Sequence, residues 1–157
     1  MTDGSKAGTF LVTGADDGAA VLRDVHDGQV HTLSENPGLS EGEVVVATVA
    51  PEPPMEVTWT VEELTSQREI PVGESPEPPT KQAREIAGEQ SVGEMTRQER
   101  AGEGELHVIT VPDEETEQAT ADVLEDEATL TQAAKLGVAR VEVRAADGVV
   151  SVRYLPD

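Results

Sequence analysis

Through the first 64 residues, short apolar runs alternate with polar positions at a period of two, the spacing that buries one face of a strand. Thr9 to Thr13 reads as a strand, ended by the turn cluster Gly14-Ala15-Asp16-Asp17-Gly18. Ala19 to His26 follows and stops at Asp27-Gly28, a dipeptide that favours a two-residue hairpin turn. A type I′ turn there sets Val25 against Val30, Leu22 against Leu33 and Asp24 against His31. Asn36-Pro37-Gly38 breaks the chain again. Glu43 to Val49 is the most apolar strand, and Met55 to Val61 alternates around Trp59. Between them the prolines of Pro51-Glu52-Pro53-Pro54 cannot donate to a ladder and predict a loop. Five strands this short predict a closed barrel, because an open sheet of that size leaves its edges unprotected.

The pattern then changes. Pro71, Pro76, Pro78 and Pro79 among glutamates predict a semi-extended linker. Lys81 to Gln90 predicts a short helix with Ala83, Ile86 and Ala87 on one face, and Glu94 to Ala101 a further helical turn. Glu105 to Val111 is a strand stopped by Pro112. Asp113 is placed to cap a helix whose first turn holds Glu114, Glu115 and Glu117. Ala119, Val123 and Leu124 stripe that helix. Leu130, Ala133, Ala134 and Leu136 stripe a second, with Gly137 at its left-handed C-terminus. Val138 to Ala146 and Val149 to Leu155 flank Asp147-Gly148. In the two-residue register Val143 faces Val152, Val141 faces Tyr154 and Glu142 faces Arg153.

The predicted fold is therefore α+β: an N-terminal small antiparallel β-barrel over 1–64 and a C-terminal β-α-α-β-β unit over 105–157. A Pro/Glu-rich linker with short helices, 65–104, joins them. The run Val30-His31-Thr32-Leu33, then Pro37-Gly38-Leu39-Ser40-Glu41-Gly42-Glu43-Val44-Val45-Val46, then Met55 to Trp59, resembles the layout of OB-type barrels. The TRAM subgroup is similar in its P-G-x-x-x-G-[DE]-x-V turn into the fourth strand. The resemblance implies an OB-like barrel and RNA binding through basic and aromatic surface residues. For that role this segment offers Lys6, Arg23, Phe10 and Trp59.

Charge alters the picture of the surroundings. Over 157 residues, 32 acidic and 11 basic side chains give a net charge of −21. Strong acidity can signal disorder, but the carboxylates here are interleaved with patterned valine segments. At about 1 M salt the Debye length falls to roughly 3 Å, and such a surface repels itself little. Arg outnumbers Lys, which occurs only at 6, 81 and 135, and the apolar set is small and valine-rich. The composition resembles that of cytoplasmic proteins of extremely halophilic archaea. The absence of cysteine excludes disulfides, thiolate metal sites and cysteine nucleophiles. No stretch has the length or apolarity of an export or membrane-spanning segment, which predicts a soluble, cytoplasmic protein.

Candidate chemistry is sparse. There is no phosphate-binding glycine loop, nucleophile elbow or H-E-x-x-H helix, and Gly102-Glu103-Gly104-Glu105 would repel phosphate. The reading is a protein that is not an enzyme and carries no cofactor. Asp24, His26 and His31 share a hairpin face in the expected register and form a candidate metal set, which would support a metal-dependent enzyme as a further alternative. His107 reads as a half-buried strand histidine, and the glutamates at 114, 115, 117, 125 and 127 as a solvated helix face. Arg140, Arg144 and Arg153 project from one face of the last hairpin with Glu142 among them, a concentration of positive charge suited to a phosphate backbone or an acidic partner. With Trp59 they form the candidate partner surface. These features predict a non-catalytic binding or adaptor protein, with RNA or single-stranded nucleic-acid binding through the barrel as the alternative.

Overall fold

The computed structural model describes residues 4–100 and 104–156, which fall into two compact units. The first comprises Met1–Ile70 with Leu130–Lys135, and the second Pro71–Thr129 with Leu136–Asp157.

In the first unit, β1 (Lys6–Ala15), β2 (Ala20–Asp24), β3 (Val30–Leu33), β4 (Val44–Pro51) and β5 (Trp59–Arg68) close a barrel in the order β1-β2-β3-β5-β4. The pairings are antiparallel except between β3 and β5, which run parallel through Leu33 and Trp59. This is the OB-like barrel expected from the strand pattern. Phe10, Val12, Leu22, Leu33, Val45 and Val49 fill it. Each such valine or leucine contributes about 1.5–3 kcal/mol through burial.

Two local expectations fail. The β2–β3 register sets Leu22 against His31 and Arg23 against Val30, two residues from the two-residue-turn register. Asp24 causes the shift: its carboxylate accepts from the His26 and Asp27 N–H groups at 2.7 and 3.1 Å, opening a wider turn over 24–29. The last barrel strand starts at Trp59 instead of Met55 and continues to Arg68, into the segment expected to be linker.

The second unit is a five-stranded sheet, β6-β9-β10-β8-β7. Along the chain the expected β-α-α-β-β order is present: β8 (Glu105–Thr110), α2 (Thr116–Glu125), α3 (Glu127–Leu136), β9 (Arg140–Ala146) and β10 (Val149–Leu155), with Leu130–Lys135 of α3 belonging to the first unit. The supposed linker supplies the rest. β6 (Val72–Glu74) pairs parallel with β9, and α1 (Lys81–Gly88) buries Ala83 and Ala87 against Leu106 and Val108. Thr80 caps α1, its hydroxyl accepting from the Ala83 N–H at 3.2 Å. β7 (Met95–Glu99) is an edge strand where a helical turn was expected, and Ala101 of that expected turn lies outside the described residues. Asp113 does not cap a helix with its side chain; it opens a short 3₁₀ turn, Asp113–Glu115, ahead of α2. The β9–β10 register agrees with expectation at all three pairs, Val143–Val152, Val141–Tyr154 and Glu142–Arg153.

Candidate functional site

The turn between β2 and β3 gathers a polar cluster around Lys6, which the OB resemblance had offered only for RNA binding. Lys6, at the start of β1, donates to Asp27 Oδ2 at 2.7 Å and Gln29 Oε1 at 3.0 Å, and lies 3.1 Å from Asp24 Oδ2. Its Nζ is also 3.5 Å from His31 Nε2. Burial works against the ammonium, but the bonds to Asp27 and Asp24 prevail and raise its pKa above 10.5. Burial likewise opposes the Asp24 carboxylate, yet the two backbone N–H donors and Lys6 hold its pKa below 3.8. His31 is fully buried, and desolvation, then the Lys6 charge, push its pKa below 6.5.

The metal set is not assembled. His26 is exposed, while Asp24 and His31 meet through the Lys6 ammonium. Among the described residues no three His, Asp or Glu side chains group as metal ligands. Only the position of Lys6, alone as a basic residue before Arg23, hinted at its role.

Trp59 is half-buried and packs edge-on against His31, with ring centroids 4.4 Å apart, while Phe10 is fully buried on the other side at 5.4 Å. Arg23, the barrel's other early cation, donates to Thr131 within the same unit at 2.9 Å. The aromatic and basic side chains that an RNA-binding barrel would display are thus engaged internally.

What the barrel does display is the loop between β4 and β5. Glu52 N–H donates to Thr58 O and Glu56 N–H to Glu52 O, both at 2.8 Å. The Glu52 carboxylate accepts from the Ser34 and Thr58 hydroxyls, the latter at 3.0 Å. The Pro53–Pro54 peptide is cis, and Glu56 is left-handed at φ 57°. This closed loop presents Met55 and Val57 outward, 75% and 72% exposed, the most exposed large apolar residues on the described surface. Sequence reasoning assigned both to a strand and so missed them. From Asp24 to Gln67 there is no Lys or Arg, so the loop and the chain on either side of it carry only acidic charge.

In the second unit, Arg140, Arg144 and Arg153 do share one sheet face, but Glu142 sits among them and accepts from all three, at 3.3, 2.7 and 2.7 Å. Arg144 also pairs with Glu77 at 2.9 Å. Burial disfavours the Glu142 carboxylate, but Arg144 and Arg153 outweigh it and keep its pKa below 4.5. The strip is an ion-pair network with little charge to spare. Arg153 also lines a cleft of about 590 Å³ with Thr80, Gln98, Arg100 and Leu106. His107 is buried, bonds Glu105 at 2.8 Å and packs on Tyr154, whose pKa burial pushes up to about 12.

A family model described as a family of unknown function, DUF5812, matches residues 6–145. The chain belongs to that family. No curated protein and no solved structure matches it. The DUF5812 span takes in the whole barrel, with Lys6, Asp24, His31 and the 52–58 loop, and extends through Arg140 and Arg144; Arg153 lies beyond it.

Proposed function

We propose that this chain is a non-catalytic binding or adaptor protein that docks a protein partner on the 52–58 loop of its barrel. The observation that carries the reading is the outward display of Met55 and Val57 from a hydrogen-bonded loop, while Phe10, Trp59, Lys6 and Arg23 are occupied within the unit. OB barrels use the loop between strands 4 and 5 to contact oligonucleotides and oligosaccharides, but here that loop carries no Lys or Arg and displays Met55 and Val57 instead. Glu56 supports the same reading, since a left-handed non-glycine residue costs about 1–3 kcal/mol and persists where the loop shape has a use. The acidic surround selects a partner with an apolar socket edged by Lys or Arg. Nucleic-acid binding would need cations along the backbone path and accessible aromatic faces for stacking.

The test is photo-crosslinking in cells from position 57, with position 41 as control, followed by reconstitution with the purified crosslinked protein. Met55→Ser with Val57→Ser should weaken that binding at least tenfold and leave the melting temperature nearly unchanged. Crosslinks to RNA, or equal binding by the double variant, would overturn the reading.

The same proposal places the chain in the cytoplasm of a salt-rich cell of haloarchaeal type. The net charge of −21 supports this, because its self-repulsion must be screened. Circular dichroism should show structure in molar KCl and its loss after dialysis into millimolar salt; full retention on dilution would remove the halophilic origin.

A further inference from the structure

The two ring nitrogens of His31 are in different situations. Nε2 faces Lys6 Nζ at 3.5 Å, and an ammonium only donates, so the neutral ring accepts there and carries its proton on Nδ1. Nδ1 is buried with no hydrogen-bond partner. The ring is held instead by Phe10 from β1 and Trp59 from β5, neither of which carries charge. The charged groups facing it are Lys6 from β1 and Asp24 and Asp27 from the turn.

We propose that Lys6, Asp24, Asp27 and His31 form an acid-operated latch, in which protonation of His31 transfers the two carboxylates from the Lys6 ammonium to the imidazolium. A proton taken from solvent at Nε2 turns that atom into a donor facing another donor, and puts two cations in contact. One must withdraw. The imidazole is fully buried between two aromatic rings, whereas the Lys6 side chain is 23% exposed on a flexible stem that reaches water. Lys6 therefore leaves, and Asp24 and Asp27 retain a cation in His31. The only bond formed is the N–H at Nε2, its proton supplied by solvent, and no heavy-atom bond changes. Because Lys6 ties the start of β1 to the 24–29 turn, its release loosens that turn, and the tie becomes dependent on pH. The desolvation that lowers the His31 pKa sets the operating range below 6.5.

Trp59 is the only tryptophan, and a protonated imidazole quenches a neighbouring indole far more than a neutral one. Titration of the full chain from pH 7.5 to 4.5 in constant salt should show a fall in Trp59 fluorescence with a midpoint below 6.5 and unchanged far-ultraviolet dichroism. Lys6→Met should raise that midpoint by roughly one unit, since it removes the cation and leaves both carboxylates. His26→Gln should leave it in place, and His31→Phe should abolish it. If His31→Phe does not fold, the ring carbon-bound proton signals of His31 in the wild type give the same midpoint by nuclear magnetic resonance. Flat fluorescence, loss of dichroism at the same midpoint, or a Lys6→Met midpoint that is unchanged or lower would overturn the latch.

Discussion

Two Asp-Gly dipeptides reverse this chain, and only one of them makes the two-residue turn the dipeptide favours. At Asp147-Gly148 both residues are left-handed, at φ 48° and 84°, and Ala146 pairs directly with Val149. At Asp27-Gly28 only the glycine is left-handed, the strands end at Asp24 and resume at Val30, and the register slips by two. The difference lies in the preceding residues. Ala145 and Ala146 have no side chain to compete for backbone N–H groups, whereas Asp24 captures two of them and is fixed in turn by Lys6. The second turn is also held from outside: Gly148 N–H donates to Thr116 Oγ1, and Gly148 O accepts from Val111 N–H, both at 2.8 Å. A turn dipeptide thus sets the register only where its neighbours have no better use for the backbone.

The sharpest way to break this comparison is to give each glycine a methyl group. A Cβ on Gly148 would lie 2.6 Å from Asp113 Oδ1 and 2.7 Å from the backbone oxygen of Val111, while one on Gly28 would meet nothing within 4 Å. Both positions carry the left-handed penalty of about 1–2 kcal/mol for an L side chain. Only Gly148 adds a clash, worth about 1–3 kcal/mol more. Urea unfolding should therefore show Gly148→Ala losing about 3 kcal/mol and Gly28→Ala about 1 kcal/mol. Equal losses would mean that packing around the second turn does not lock it.

The slip of two also explains why so much of the barrel was legible despite a wrong register. Faces repeat every two residues, so Leu22 and Leu33 still point into the core, although each has a different partner. The last hairpin was legible in full because apolar and charged pairs agreed on one register. β6 and β7 were not, since three and five residues with mostly exposed side chains at sheet edges leave no period to read. The same holds for β5 beyond Val61, where mostly exposed residues extend a strand through backbone pairing with β4, with Gln67 donating from its side chain to Gly38 O and Glu43. At the candidate site, Asp24, His31, Trp59 and the arginine strip could be singled out by type. For the strip the pairing of Glu142 with Arg153 was legible too, but the engagement of Asp24 and His31 was not, because Lys6 reaches Asp24 only when β1 closes the barrel. Met55 and Val57 were hidden by their own alternation around Trp59, which imitates a strand in a loop.

A smaller effect separates the two aspartates. Asp24→Ala removes the acceptor for the His26 and Asp27 N–H groups and one partner of Lys6, with most of the residue buried. Leaving such donors unsatisfied costs about 1–3 kcal/mol, so a loss of about 2 kcal/mol is expected at neutral pH. Asp147→Asn should be nearly neutral, because asparagine tolerates the left-handed region as readily as aspartate. The pH dependence gives the sign. The folded Asp24 pKa lies below its ordinary 3.8, so its contribution is fully present above that value and fades as pH falls through the lower folded one. Through the titration of Asp24 itself, the stability gap between wild type and Asp24→Ala should therefore hold from pH 7 down to about 5 and narrow only in stronger acid, while the aspartate's hold on a protonated His31 widens the gap below 6.5. A gap that closes already near pH 6 would overturn both claims about Asp24, since neither its own titration nor its hold on a protonated His31 removes its contribution there.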